Sequence, residues 1–224
     1  MASIPNPVNN ENPNKNDTNP NNANTTTITL PIFISTESLH AILSHQSLID
    51  HFQSSLPTAS STLQTPIRQS YSVSQSSSLL LMPSWSSSPS LPYVGVKLVT
   101  YFPQNSTLNL PGVHASYVLF SSITGQTLAS MDGTVLTLYR TSCVSGLATK
   151  ILARNDCETL VMIGAGALAP HLIKAHLSAR PSLRRVIIWN RTTEKAKNLA
   201  VEMRENAGFD GVCFESNECL EEIW

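Results

Sequence analysis

A short glycine-rich segment offers the clearest chemistry in this sequence. Residues 160–163 form an apolar run, and Gly164 and Gly166 separate it from a segment with apolar residues at helical spacing. This order is typical of a buried strand that turns into a helix and receives a phosphate. Gly164 permits the tight turn, Gly166 lets a pyrophosphate approach the backbone, and Ala169 is the third small residue, where helix and strand pack. The segment therefore predicts a site for a phosphate-bearing ligand at a helix N-terminus.

A polar sequence after the next apolar run indicates a dinucleotide as that ligand. The run at 185–189 predicts a second buried strand, and Asn190 and Arg191 follow it, starting 26 residues after Gly164. An NAD-preferring site usually has Asp or Glu here, whereas an arginine suits the 2′-phosphate of NADP. We therefore predict NADP(H) as the preferred cofactor and NAD(H) as the alternative. Two simpler interpretations stay open: the glycines begin an ordinary helix, and Arg191 is merely an exposed residue after a strand. The predicted cofactor-binding residues of this region are Gly164, Ala165, Gly166, Ala167, Leu168, Ala169, Asn190, Arg191 and Thr192.

The composition argues against several classes of function. The chain has 224 residues, a formal net charge of −1 and 13% charged residues, so no basic excess indicates a nucleic-acid partner. It contains no apolar run of about 18 residues, the length that indicates a membrane span. The four cysteines lack CxxC spacing, which is typical of reduced thiols in an intracellular protein. We therefore predict a soluble intracellular protein without nucleic-acid or membrane partners.

The first part of the chain changes character near Ile28. Residues 1–27 are rich in Asn, Pro and Thr and almost free of apolar residues. This predicts disorder, because such a segment buries too little surface to offset its ordering entropy. Residues 28–138 predict an α+β segment, with 56–70 as a Ser/Thr/Pro loop. Its predicted elements are helices at about 37–44 and 46–55 and strands at 27–34, 78–82, 93–101, 113–121 and 126–131.

A long helix connects this segment to the phosphate-binding unit. Asp132 is a candidate N-cap, and a helix is predicted over about 133–154. Residues 139–224 are predicted to hold this bridging helix and the N-terminal half of a Rossmann domain, with a third strand at 211–215 and a helix starting at Asn217. The predicted fold class is therefore α/β, with an α+β domain followed by a Rossmann NAD(P)-binding domain.

Short motifs with compatible spacing run through both segments. They are Gly95-Val96-Lys97, Phe102-Pro103-x-Asn105, Thr124-Gly125-Gln126, Met131-Asp132-Gly133-x-x-Leu136-Thr137-x-x-Arg140-Thr141, Ser145-Gly146-Leu147-Ala148 and Trp189-Asn190-Arg191. Together with the glycine loop, this set resembles the ornithine cyclodeaminase/mu-crystallin family over about residues 30–224. In its details, it looks most like the plant ketimine reductases of that family.

The resemblance implies a substrate-binding and dimerising α+β domain at 28–138, a Rossmann domain after it, and a homodimer in the full-length form. It implies NAD(P)H-dependent reduction of a small cyclic ketimine whose carboxylate lies next to the reacting carbon. The implied reaction converts 2,3-dehydropipecolate (Δ1-piperideine-2-carboxylate) to pipecolate in plant systemic acquired resistance. A plastid location is implied, with the cytoplasm as the alternative. Because the family's second cofactor half-site and a later aspartate follow the third strand, a chain ending at Trp224 is predicted to be C-terminally truncated.

The resemblance also assigns the substrate site. A substrate carboxylate needs a cation, preferably a bidentate arginine, and Arg68 and Arg140 match the family's substrate arginines. Lys97 matches its lysine, which by resemblance helps to bind the substrate carboxylate and is the predicted catalytic residue. A lysine among positive neighbours has a lowered pKa, which suits proton transfer to the imine nitrogen. Arg140 and Thr141 are also predicted to contact the cofactor. Without the resemblance, Arg68, Lys97 and Arg140 would be interpreted as solvent-exposed side chains.

Two alternative functions stay open. Ornithine cyclodeaminase, which converts ornithine to proline and ammonia, is disfavoured because some cyclodeaminases have a glutamate just before the Met82-Pro83 pair. Here Leu80 and Leu81 occupy that place. The other alternative is a non-catalytic binding protein like mu-crystallin, or an inactive truncated form. His114 and His171 are predicted to be packing or solvent-exposed residues rather than catalytic ones.

Overall fold

The computed structural model describes residues 30–206 and 208–221 of the chain. The segment predicted to be disordered, 1–27, lies outside the described residues. Two β-sheets organise the described part, and one long helix runs from the first sheet towards the second.

The first sheet has seven strands. They are β1 (Ile32–Ile34), β2 (Leu63–Gln64), β3 (Gln69–Ser72), β4 (Ser78–Ser86), β5 (Tyr93–Tyr101), β6 (Val113–Ser121) and β7 (Thr127–Asp132). The order is β1-β7-β6-β5-β4-β2, with β3 also paired to β4, and only the β1–β7 pair is parallel. A 3-10 helix at Pro103–Leu108 connects β5 to β6. Strands β5 and β6 have the predicted bounds, because alternating apolar and polar residues define a strand with two distinct faces.

Strand β4 continues through Pro83, although the sequence predicted that it ends at Met82. Proline cannot donate a ladder hydrogen bond, so it is tolerated where one edge of a strand lacks a partner. β4 pairs with β3 up to Leu81 and with β2 from Trp85 onwards, so Pro83 lies between the two pairings on that edge. On its other edge Pro83 is opposite Val96 of β5.

Two helices precede the sheet's central strands: α1 (Thr36–Ile42) and α2 (His45–Ala59). Ser35 and Ser44 are their N-caps, and each side-chain oxygen accepts a backbone N–H bond from three residues ahead. The predicted helices are therefore confirmed, but the predicted loop at 56–70 is wrong over much of its length. It contains the end of α2, including Pro57, and the strands β2 and the start of β3.

Helix α3 (Gly133–Leu152) begins directly after β7. The predicted cap is confirmed: the Asp132 carboxylate accepts hydrogen bonds from the backbone N–H groups of Thr134 (2.8 Å) and Val135 (3.1 Å). The start of the helix lies against β6, since a Cβ on Gly133 would be 2.9 Å from the backbone carbonyl carbon of Ser116. Glycine at this position therefore allows the close approach.

The second sheet is parallel and has the order β10-β9-β8. It contains β8 (Thr159–Ile163), β9 (Arg185–Trp189) and β10 (Cys213–Asn217), which alternate with α4 (Ala169–Ala179) and α5 (Thr193–Asn206). The helices cover the sheet through side chains that are at most 2% exposed, among them Ala169, Ile173, Val186, Ile188 and Met203. This β-α-β-α-β order is typical of a Rossmann unit. The predicted fold class is confirmed.

The end of the described chain differs in detail from the prediction. Strand β10 starts and ends two residues later than predicted, and 218–220 are irregular, so no helix starts at Asn217. The domain boundary predicted between 138 and 139 falls inside α3 and stays a prediction. Among residues 30–206 and 208–221, no helix combines the length and hydrophobicity that crossing a bilayer requires.

The contact between α3 and α4 generates a stability prediction. A Cβ on Gly146 would be 2.9 Å from the carbonyl oxygen of Ala175 in α4 and 2.9 Å from Cδ1 of Ile49 in α2. We expect Gly146→Ala to lower the free energy of unfolding by about 1–2 kcal/mol, because overpacking outweighs the better helix propensity of alanine. Urea denaturation measures this change, and a variant as stable as the parent would contradict such close packing of these helices.

Candidate functional site

Three predicted substrate residues line one cavity on the first sheet. Lys97 of β5, Arg68 just before β3 and Arg140 of α3 border a space of about 450 Å³. The strand register explains why Arg68 lies near Lys97. Met82 of β4 is opposite Lys97, and β3, which follows Arg68, pairs with the other edge of β4. The cavity is otherwise lined by Ser70, Ser78, Leu80, Met82, Val99, Tyr101 and Val113. None of the described residues that line it is acidic, so its charge is positive.

The Lys97 side chain is half-buried and held by a residue that the sequence analysis missed. Its Nζ donates a hydrogen bond to Thr137 Oγ1 at 2.6 Å, and Thr137 donates its own hydroxyl proton to the Gly133 carbonyl at 2.5 Å. Burial, and then the positive charge of Arg140, lower the pKa of Lys97 from its usual value. The only signal in the sequence was the place of Thr137 within its motif, three residues before Arg140.

The glycine before Lys97 also has a structural reason. Gly95 and Tyr117 lie on the same face of neighbouring strands, and the Tyr117 phenol crosses the space in front of Gly95. A Cβ on Gly95 would collide with the Tyr117 hydroxyl oxygen. Gly95 therefore lets an aromatic side chain lie flat on the sheet beside Lys97.

The predicted phosphate loop follows β8. Gly164 has φ = 114°, a conformation that favours glycine, and its N–H donates to the Trp189 carbonyl at 2.7 Å. The N–H groups of Gly166, Ala167 and Leu168 have no hydrogen-bond acceptor within the described ranges. Ala169 begins α4 and is 2% exposed, as the third small position requires. The loop therefore presents several unpaired donors at a helix N-terminus, which suits a phosphate.

The loop after β9 meets the phosphate loop through one side chain. Asn190 accepts a hydrogen bond from the Ala165 N–H at 3.1 Å and donates one to the Thr192 carbonyl at 2.9 Å. Both loops follow the carboxyl ends of neighbouring parallel strands, where Rossmann folds bind their ligands. Asn190 was predicted to contact the cofactor, and in the structure its amide joins the two loops.

A crevice of about 300 Å³ lies between these loops. It is lined by Ile163, Gly164, Ala165, Gly166, Trp189, Asn190, Arg191, Thr192 and Lys195. Arg191 and Lys195 are exposed, and neither has an ion pair or a side-chain hydrogen bond within the part of the chain that the structure describes. By contrast, Lys197, which lies on α5 like Lys195, pairs with Glu218 at 2.9 Å. The crevice thus has two cations that are available to an anion.

The two candidate sites are linked by contacts between α3 and the first turn of α4. Tyr139 lies next to Arg140 in the sequence, and its ring meets that of His171 edge-on, with centroids 4.9 Å apart. Tyr139 also contacts His40 and His45. His171 is therefore a packing residue, and burial, with Lys174 and His40 nearby, lowers its pKa to about 4.

Thr141 is the remaining predicted cofactor contact. Its Oγ1 is buried and has no hydrogen-bond partner among the described residues. A buried hydroxyl without a partner is destabilising, and such atoms are often satisfied by a ligand or an ordered water. The contact of Thr141 with a cofactor therefore stays a prediction, whereas the free loop N–H groups and the two unpaired cations of the crevice suit a phosphate-bearing ligand.

Fold and site define a class: a Rossmann-type β-α-β unit joined by α3 to a mostly antiparallel sheet that carries a cationic cavity. The sequence model of the ornithine cyclodeaminase/mu-crystallin family matches residues 31–222. The chain belongs to this family, as the motifs predicted.

Individual relatives agree with this assignment. The chain is 64% identical over 194 residues to Protein SAR DEFICIENT 4 of Arabidopsis thaliana. This alignment covers 87% of this chain and 60% of that protein. Among solved structures, it resembles Thermococcus litoralis Δ1-pyrroline-2-carboxylate reductase in complex with NADH and L-proline, with a TM-score of 0.75 and 30% identity over 85% of this chain and 58% of that one. It also resembles an archaeal alanine dehydrogenase dimer with bound NAD, with a TM-score of 0.74 and 25% identity over 86% and 57% of the two chains. This chain thus spans about three fifths of the length of these relatives.

The histidines between α1, α2 and α4 generate a pH prediction. Burial lowers the pKa of His45 to about 4, like that of His171, from an ordinary value of 6.5. The unfolded chain therefore binds more protons between these values, so the free energy of unfolding falls as the pH is lowered from about 6.5 to about 4. We expect the free energy of unfolding of His171→Phe, measured by urea denaturation, to fall less than that of the parent as the pH is lowered over this range.

A matched control separates this effect from a general acid sensitivity. His51 is exposed on α2, and we expect His51→Phe to keep the pH dependence of the parent. Equal pH dependence in His171→Phe and the parent would contradict a buried neutral imidazole at this position.

Proposed function

We propose that this chain carries the substrate cavity and the dinucleotide-binding loops of an NAD(P)H-dependent ketimine reductase. The proposed substrate is a small cyclic imine with a carboxylate next to the C=N carbon, such as 2,3-dehydropipecolate (Δ1-piperideine-2-carboxylate), and the product is pipecolate. One observation carries this proposal: Arg68, Lys97 and Arg140 line a single cavity that has no acidic residue among its described lining. Such a cavity favours an anionic ligand.

Each cavity residue has a defined task in this reaction. The guanidinium groups of Arg68 and Arg140 bind the substrate carboxylate through charge-assisted hydrogen bonds. Leu80, Met82 and Val99 contact the apolar ring carbons. The Lys97 ammonium donates a proton to the imine nitrogen, and its lowered pKa makes it a better acid. The nicotinamide, when bound, supplies a hydride to the imine carbon.

The dinucleotide is assigned to the loops after β8 and β9. The free N–H groups of Gly166, Ala167 and Leu168 would bind the pyrophosphate. Arg191, supported by Lys195, would bind the 2′-phosphate of NADP(H), which is the proposed preference. Relatives bind NADH or NAD, so NAD(H) is the alternative that the binding measurement below decides.

Three measurements on the same purified chain separate this proposal from its alternatives: cofactor consumption with a cyclic imine, ammonia release from ornithine, and cofactor binding. The purified chain is incubated with NADPH or NADH and the five- or six-membered cyclic imine, and loss of the reduced cofactor's absorbance is followed. Consumption that depends on the imine supports the proposal. Ammonia released from ornithine instead would indicate a cyclodeaminase, and cofactor binding without turnover of either imine would indicate a non-catalytic binding protein.

Lys97 is the residue on which the proposed chemistry depends most. We expect Lys97→Ala to lower kcat by about 10²–10⁴-fold, because proton transfer is lost, while the Kd of the cofactor stays within about twofold of the parent. Lys150→Ala, in the last turn of α3 and paired with Asp50 of α2 at 2.8 Å, is the control and should keep the parent kcat. Unchanged turnover in Lys97→Ala would remove Lys97 from the site.

Arg191 determines the proposed cofactor preference. We expect Arg191→Ala to raise the Kd of NADPH by about 10–100-fold, which corresponds to one lost charge-assisted hydrogen bond, and to leave the Kd of NADH nearly unchanged. Cofactor fluorescence titration measures both values. Arg154→Ala removes an exposed arginine that pairs with Asp156 at 2.6 Å and serves as the control. An equal effect on both cofactors would contradict a 2′-phosphate contact.

The opposite face of the first sheet suits the proposed homodimer. Val94, Val96 and Leu98 alternate with Gly95 and Lys97 along β5, so they face away from the cavity. Phe33 of β1 lies on the same face and is 75% exposed. We infer that residues 28–138 bind substrate and dimerise, while 139–224 bind the cofactor. Sedimentation of the chain with Phe33→Glu, compared with the parent, tests the contact, and an unchanged dimer would exclude Phe33 from it.

The similarity to SAR DEFICIENT 4 supports a biological context. We propose that the product serves systemic acquired resistance in a plant and that the protein acts in the plastid, with the cytoplasm as the alternative. Microscopy of the protein fused to a fluorescent protein at its C-terminus distinguishes the two locations.

A further inference from the structure

The hydrogen bond between Lys97 and Thr137 crosses from the sheet to the helix. Lys97 belongs to β5 and Thr137 to the second turn of α3, and the two residues are 40 positions apart in the sequence. A threonine inside a helix commonly bonds the carbonyl four residues earlier, and Thr137 does so with Gly133. What distinguishes Thr137 is that a charged side chain from another element also bonds to it.

The chemistry of a hydroxyl makes this arrangement directional. A hydroxyl has one proton to donate and two lone pairs that accept. Since the Thr137 proton is donated to Gly133, only its lone pairs are available to Lys97. An ammonium group has three N–H donors. One of them is used on Thr137, and two are left for the cavity.

The anchor of this hydrogen bond is itself fixed. The Gly133 backbone lies against the Ser116 backbone, and the Ala115 N–H donates to Thr134 Oγ1 at 3.1 Å. The first turn of α3 therefore keeps its position relative to β6, which is the neighbour of β5. A lysine with four rotatable side-chain bonds is thereby held in one place by a contact to rigid structure.

We propose that Thr137 is a positioning residue that holds the Lys97 ammonium so that its remaining N–H bonds face the space between Arg68 and Arg140. This inference rests on the proposed function, because it specifies how the proton donor of that reaction is aimed. Thr137 does not border the cavity itself and acts on the reaction through Lys97.

The proton balance of the step is simple. The π electron pair of the C=N bond moves to nitrogen as the carbon receives a hydride, and the nitrogen takes a proton from the Lys97 ammonium. Lys97 becomes a neutral amine, and solvent returns its proton after the product leaves. Thr137 accepts a hydrogen bond in both states and exchanges no proton.

The neighbours of Lys97 determine what removal of the hydroxyl should do. Among the described residues, the titratable groups that border the cavity with Lys97 are Arg140 on α3, Arg68 before β3 and Tyr101 on β5. Tyr93 of β5 and Tyr117 of β6 lie on the same face of the sheet. Burial and Arg140 already lower the pKa of Lys97. A hydrogen bond accepted by Thr137 stabilises the charged form and opposes this shift, so its loss should lower the pKa further.

The test measures Lys97 directly in the cofactor-free protein. Amines are labelled with an acylating reagent over a range of pH, and the labelled peptides are quantified by mass spectrometry. We expect the midpoint of the Lys97 profile to fall by about one pH unit in Thr137→Val, because a hydrogen bond to a charged group is lost. Thr137→Ser keeps the hydroxyl and should keep the parent midpoint. Lys150, in the last turn of α3 and outside the cavity lining, is the internal reference in every digest.

The possible outcomes distinguish the positioning role of Thr137 from the proposed reductase function. The same Lys97 midpoint in parent and Thr137→Val, or an equal shift in Thr137→Val and Thr137→Ser, would overturn the positioning role. Should Thr137→Val fail to fold, Thr137→Ala removes the hydroxyl without adding a methyl group in its place and carries the same test. In the reductase assay, Thr137→Val should lower kcat by about 10–100-fold with an unchanged cofactor Kd. Absence of turnover in the parent protein would contradict the proposed function and leave the labelling result standing.

Discussion

The close contact between the first turn of α3 and strand β6 is the constraint on which the rest of the site depends. Gly133 allows the two backbones to touch, and Asp132 caps the helix at the same point. Burial alone would raise the pKa of Asp132, but hydrogen bonds from Thr36 and from the backbone N–H groups of Val135 and Thr134 lower it overall. The carboxylate is therefore charged when it caps the helix. From this fixed start, one rigid helix carries Thr137, Arg140 and Tyr139 to their separate contacts.

The same helix connects two sheets that differ in topology. Its N-terminal turns face the cationic cavity, and its middle packs on α4, which starts at the phosphate loop. Arg180, buried after α4, donates hydrogen bonds to the carbonyl groups of Thr149, Lys150 and Ala153 at the end of α3. The helix is thus fixed at both ends, and a shift of either sheet would move Arg140 relative to the loops.

The sequence predicted those features that are encoded locally. The bounds of β5 and β6 follow from alternation, and the Asp132 cap follows from residue type and position. The extension of β4 through Pro83 was missed because it depends on a gap between β2 and β3 at the opposite edge, which no local pattern shows.

The candidate site shows the same difference between features that are encoded locally and features that depend on contacts between distant elements. Lys97 and the glycine loop were predicted from motifs and Arg68 from the family resemblance, but the hydrogen bond from Lys97 to Thr137 was missed because it depends on how α3 crosses the sheet. The position of Asn190 at the end of β9 predicted a ligand contact. Its bond to Ala165 could not be predicted, because it depends on the distance between two loops that follow different strands.

That bond has an energetic consequence for ligand binding. When loops become ordered only on ligand binding, the free energy that this ordering costs weakens the affinity for the ligand. Here Asn190 joins the two loops through hydrogen bonds within the protein, and the Gly164 N–H donates to the Trp189 carbonyl beside the same crevice. A dinucleotide entering it would find its binding surface preorganised, so more of its contact energy would be retained as affinity.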